Sequence, residues 1–161
     1  MALTQARLFT GQQAYLDEVE RQLRDWIEKN PYARGMQWVS ALEVAFRFLS
    51  WLWVWHLAGS ELSSVCRHKL VEAMWRHCVF FERNLSVYFS PSTHLLGEAV
   101  ALHALGRLFP GLPHAARWRE LGRRVTREEM DHQIRDAGPP FAQSWCYHVY
   151  ACDFSLFHAL L

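Results

Sequence analysis

The sequence predicts an all-α chain built of helical hairpins, and three observations carry the prediction. Apolar residues recur at three- and four-residue steps through most of the chain, the spacing that puts them on one face of a helix. No segment alternates apolar and polar residues with the period of two that a half-buried strand requires. Short Pro- and Gly-containing stretches separate the periodic segments, as connections do. With 161 residues, 51% of them apolar, the chain has the size of one domain and enough material for a core, so a single helical domain over 1–161 is expected.

The first periodic segment opens at Tyr15, where Leu16, Val19, Leu23, Trp26 and Ile27 alternate with charged residues. It stops at Asn30-Pro31, because the residue before proline is pushed out of helical backbone angles. A loop over Tyr32 to Gln37 leads to Trp38–Leu57, apolar on nearly every side and so a buried helix. Gly59-Ser60 ends it, and Ser60 is a cap for a third helix to about Asn84. After a loop from Ser86, Ser92 or Thr93 caps a helix running through Leu108. Phe109-Pro110-Gly111-Leu112-Pro113 marks a turn, a charged helix runs from His114 to Ile134, and Asp136 to Pro140 break it. The last helix starts near Gln143 and runs to Leu161. Its apolar end has neither a capping glycine nor a polar last turn, which reads as a piece of a longer protein. Six helices are expected, alternating strongly apolar and more charged, as two layers of hairpins would be.

Composition excludes several classes. A formal net charge of +1 gives no basic stripe for nucleic acid. The most apolar stretch, Ala41 to Ala58, is broken by Glu43, Arg47 and His56 and does not read as a membrane span. The first residues carry no signal-peptide pattern. No HExxH-like pair and no CxxC pair suggests a metal site. Cys66, Cys78, Cys146 and Cys152 read as small buried helix residues. Glu43 and Arg47, four apart in an apolar helix, read as a buried ion pair. Trp51, Trp53 and Trp55 cannot form one flat surface, since two helical residues turn the axis by about 200°.

Three stretches concentrate polar and aromatic groups at helix ends. They are Asn30-Pro31-Tyr32-Ala33-Arg34-Gly35-Met36-Gln37-Trp38 running on into Ser40 to Arg47; Asn84-Leu85-Ser86 with Ser90-Pro91-Ser92-Thr93-His94-Leu95-Leu96-Gly97-Glu98-Ala99; and Gln143-Ser144-Trp145-Cys146-Tyr147-His148-Val149-Tyr150. Taken on their own, Tyr147 and Tyr150 at helical spacing fit either a core or a site, and His94 fits either a helix start or a catalytic group. Together and in this order, with Phe109-Pro110 and Arg117-Trp118, the stretches resemble the helical domain of the heparinase II/III polysaccharide lyases.

That resemblance implies part of an incomplete (α/α) toroid, completed in the same protein by a C-terminal β-sandwich. It implies β-elimination beside a uronic acid in a heparan- or alginate-like polysaccharide, with no cofactor. One group must neutralise the substrate carboxylate, a base must take the C5 proton, and an acid must protonate the leaving oxygen. The acid falls on Tyr147, with His148 beside it. The neutralising position falls on Ser92, where the family's pattern has Asn or His; His94 is two residues on, with Glu98 on its face to orient it. Gln143 is a further donor, while Ala142 stands where a Glu is expected. Arg34 and Trp38, at a loop-to-helix junction, are substrate contacts for an acidic group and a sugar face. The partner implied is an acidic polysaccharide, and the place periplasmic or secreted. The Ser92 and Ala142 departures leave a second function open, an inactive carbohydrate-binding or scaffold domain.

Overall fold

A computed structural model describes residues 1–88, 91–133 and 145–161, the side chains of Pro91, Ser92, Gln133 and Tyr147 excepted. Among the described residues there are seven α-helices and no strand: α1 Ala2–Thr10, α2 Gln13–Lys29, α3 Ala41–Ala58, α4 Ser64–Arg83, α5 Leu96–Leu108, α6 Ala115–Gln133 and α7 Trp145–Ala159. The all-α prediction stands, with one helix more than expected. The extra helix is α1, whose Leu8 and Phe9 are exposed and which buries only Thr4, so it carries little periodic signal. Among the described residues no helix is long and apolar enough to cross a membrane. The residues divide into two compact units, 1–77 and 78–161, with α4 continuing through the boundary.

In the first unit α1 ends at Gly11, whose φ of 69° lies in the left-handed region glycine adopts readily. α2 buries Leu16, Val19 and Leu23 and ends where Asn30 Nδ2 donates to the Trp26 carbonyl at 2.8 Å, just before Pro31. Trp38 does not open the next helix, as expected, but sits in a short 3-10 turn, Met36–Trp38, entered through Gly35 at φ 83°. α3 starts at Ala41 because Ser40 Oγ accepts from the Glu43 amide. It buries Val44, Ala45, Phe48, Trp51, Leu52, Val54 and Ala58. Trp51 packs edge-on against Trp26 at 5.0 Å while Trp53 is 37% exposed, so the tryptophans point apart. The cap of α4 is Ser63 rather than Ser60: Ser63 Oγ accepts from the Cys66 amide and donates to Glu20 Oε2 on α2 at 2.9 Å. A cap held by another helix outcompetes one that is merely adjacent in sequence.

The second unit centres on α5. Every residue from Leu96 to Gly106 is buried. α6 packs along it and α7 touches both. Trp118 of α6 is completely buried, and Phe154 of α7 is 3% exposed. The α5–α6 crossing is close enough that a Cβ on Gly122 would lie 2.4 Å from the Ala99 carbonyl oxygen, and one on Gly106 2.4 Å from that of Ala115. The cysteine expectation holds for Cys66 and Cys78 and fails for Cys146 and Cys152, which are exposed on α7, a helix that buries only part of its surface.

Candidate functional site

Pro91–Leu95 forms a wide π-type turn that passes without interruption into α5. Proline suits the first helical position because its missing N–H would be unsatisfied there anyway. Leu95 holds the position before α5 in helical geometry with no side-chain cap bond, and Thr93 is buried inside the turn, while the Ser92 side chain lies outside the described residues. The turn packs against α5, α6 and α7. This brings the segment carrying Ser92 and His94 against the helix that carries Tyr147 and His148. Ser92 and Tyr147 are placed by backbone alone, His94 and His148 are half-buried, and Gln143 lies outside the described residues.

Beneath the turn Glu98 is fully buried on α5. Its carboxylate is taken up by Ser86, whose amide donates at 2.8 Å and whose hydroxyl donates at 2.6 Å. Glu98 thus ties the chain before the turn to the helix after it. Burial pushes its carboxyl up to about 7, against the pull of the two Ser86 bonds. The Ser86→Ala variant is expected to lose about 1–3 kcal/mol of stability, the cost of a buried acceptor left short of a donor. The loss should be larger at alkaline than at acid pH, because only the ionised carboxylate needs both donors. Urea denaturation at two pH values measures it, and a loss independent of pH would contradict this account.

On α7, His148 Nε2 lies 3.7 Å from Cys152 Sγ one turn on, and Trp145 is 83% exposed. Nearer the end of α7, the His158 ring packs at a tilt of 57°, 4.7 Å from that of His103 on α5, whose Nδ1 meets the Arg119 carbonyl at 3.0 Å. Both imidazoles are held below their ordinary pKa, first by burial.

In the first unit Arg34 is exposed on the loop and Trp38 is buried, 7% exposed. Trp38 stands at 5.2 Å from Tyr32 and 4.8 Å from His77. The expected Glu43–Arg47 ion pair does not form. Glu43 is exposed, and Arg47 donates from Nε to His77 Nε2 and from Nη2 to the Gln37 carbonyl, each at 3.0 Å. Neutral acceptors take two of its N–H groups without the cost of burying a carboxylate. His77 Nδ1 lies 2.7 Å from the Ala73 carbonyl, so Nδ1 carries the hydrogen and Nε2 keeps the lone pair that Arg47 uses. Burial, and then the Arg47 charge, drive His77 down to about 3. The guanidinium lies 4.4 Å over the Trp26 ring and 5.3 Å from that of Trp38.

The bonding of Ser86 to Glu98, the role of His77 and the true partners of Arg47 were not visible to sequence reasoning. One signal existed for His77, which falls in register with Leu70, Ala73, Met74 and Phe81 on the buried face of α4 and so is a core histidine in need of two partners. Ser86 and Glu98 lie twelve residues apart across a loop, with no local pattern to link them.

The solved crystal structure of heparinase III matches this fold with a TM-score of 0.73 at 21% identity, over 98% of this chain and 26% of that one. The chain thus spans about a quarter of the length of heparinase III. No curated protein matches it in sequence. The heparinase II/III N-terminus family matches residues 1–160, and the chain belongs to that family.

Proposed function

We propose that the chain is part of a polysaccharide lyase that cleaves a uronic-acid-containing polysaccharide by β-elimination. The packing of the Pro91–Leu95 turn against α7 supports this most, since it sets the segment of Ser92 and His94 against the helix of Tyr147 and His148. In the reaction a base takes the C5 proton of the uronate, the charge moves onto the carboxylate, and the C4–O bond breaks to leave a C4=C5 double bond. Tyr147 gives its phenolic proton to the leaving oxygen, with His148 beside it to set its acidity. Ser92 and His94 donate to the substrate carboxylate as negative charge builds there. Glu98 holds the turn through Ser86 and so positions both. Gln143, Arg34 and Trp38 are further substrate contacts. The base comes from a part of the protein outside this chain, such as a β-sandwich domain.

The test is to incubate the full-length protein with heparan sulfate, alginate and other uronates and to follow ultraviolet absorbance of the unsaturated product. Tyr147→Phe is expected to lower turnover about 100-fold or more, the usual worth of a general acid, without changing the circular dichroism. Unchanged turnover would remove Tyr147 from the mechanism. A second reading, a non-catalytic carbohydrate-binding or scaffold domain, draws on Ser92, whose hydroxyl offers one donor where an amide offers two. Binding of a uronate without any unsaturated product would select it.

A further inference from the structure

The first unit contains a cleft of about 340 Å³ among α1, α2 and α3. Its size falls at the small end of the range for ligand pockets, about 300–1,000 Å³. Met1 and Leu3 line it with Trp26, Trp51 and Leu23, Gln22 and Ser50 are exposed lining residues, and Arg47 is the charged side chain among them. We propose that this cleft is a subsite for one acidic sugar residue, with the Arg47 guanidinium as the ligand of its carboxylate. The proposal rests on the polysaccharide reading above and adds a contact to it.

Three features point to that occupant. The first is unmet charge. Arg47 spends two of its five N–H groups, and neither acceptor is an anion. Its charge persists at neutral pH although burial lowers its pKa to about 10. A half-buried cation with spare donors attracts an anion more strongly than one in open water. The second is fixed direction. His77, the Gln37 carbonyl and the Trp26 and Trp38 rings hold the planar fork in place, so little side-chain freedom remains to be lost on binding. The third is the walls. Indole surfaces beside exposed amide and hydroxyl groups match a sugar ring, which has apolar C–H faces and a hydroxyl rim.

The probe is a non-sulfated uronate hexasaccharide of the heparosan type, titrated against the full chain with tryptophan fluorescence as the readout, beside the same oligosaccharide with its carboxylates reduced to alcohols. Binding is expected to weaken at least about ten-fold on carboxyl reduction, and by a similar factor in Ser50→Trp, which fills the mouth from an exposed position. Arg47→Lys, which keeps the charge and loses the fork, should also weaken the uronate while sparing the reduced sugar. Equal affinity for the two sugars, or unaltered affinity in a folded Ser50→Trp protein, overturns the subsite. Binding that depends on Ser50, with no unsaturated product formed from any uronate by the full-length protein, keeps the subsite and sinks the lyase. Product formation by the full-length protein, with binding indifferent to Ser50→Trp, does the reverse.

Discussion

Replacing Gly122 by alanine is expected to destabilise the second unit by about 3 kcal/mol, the upper part of the usual range for overpacking. The added Cβ would meet the Ala99 carbonyl oxygen and the His103 nitrogen at 2.4 Å, and the His103 Cα at 2.9 Å. These are backbone atoms of α5, so no rotamer change relieves the clash, and carbon contacts need about 3.5 Å or more. The helices must move apart along a crossing that also seats Gly106 against the Ala115 carbonyl and the Arg119 nitrogen. Intrinsic helix propensity argues the other way, favouring alanine over glycine by about 1 kcal/mol. The two arguments therefore predict opposite signs, and one urea titration decides between them. A more stable Gly122→Ala protein would mean that the crossing is looser than the geometry requires. Gly111 is the internal control: nothing lies within 4 Å of its Cβ position, and Gly111→Ala should be close to neutral. The double variant Gly106→Ala, Gly122→Ala should cost less than the sum of the singles, because one separation of α5 from α6 relieves both clashes.

The second large effect follows from His77. In the folded chain it stays neutral down to about pH 3, whereas its ordinary value is 6.5. Between those limits the unfolded chain binds a proton that the folded chain refuses, so acid draws the equilibrium towards unfolding. The stability His77 contributes is complete above pH 6.5 and is lost as pH falls, by about 1.4 kcal/mol per pH unit. Glu98 has the opposite sign. Its folded value is raised from 4.5 to about 7, so its contribution is complete below 4.5 and lost as pH rises through 7. The whole protein's stability curve mixes the two, but a His77→Gln variant separates them. Glutamine still offers Arg47 a neutral acceptor and has no proton to gain. The advantage of the native protein over the variant should shrink by about 2.7 kcal/mol between roughly pH 6.5 and 4.5, two pH units at the same slope. An advantage that stays constant across that range would show that His77 is protonated in the folded state, and the hydrogen-bond assignment with Arg47 would then be wrong.

Most helix bodies were legible because periodicity reports a buried face directly, as Leu16, Val19 and Leu23 do in α2. Helix ends were less so. Ser60 and Ser63 are equally good caps as local sequence, and the choice is made by Glu20 across the fold. The same limit explains Arg47. A carboxylate four residues away is the obvious local partner, yet the guanidinium goes to His77, thirty residues on, because a neutral acceptor is available where a carboxylate would have to be dehydrated. Gly106 and Gly122 carry no local sign of the close α5–α6 crossing, which appears only when the neighbouring helix lies against them. For the candidate site the segments, Asn84 to Ser86 with Ser90 to Ala99 and Gln143 to Tyr150, were legible through their likeness to a family. The bonding of Glu98 by Ser86 was not, since it depends on how the chain returns after the loop.

The burial of α5 on all sides has a consequence for how this sequence can change over time. A helix with one wet face, such as α2, leaves roughly half of its positions open to neutral exchange among polar residues. From Leu96 to Gly106 α5 has no such positions. Small residues there are bounded by neighbouring backbone, large ones by neighbouring side chains, and Glu98 by its two bonds to Ser86. Lineages that diverge should rewrite the exposed flanks of α2 and α6 freely while α5 drifts slowly, and any change accepted in it should be matched by a compensating one in α6 or α7.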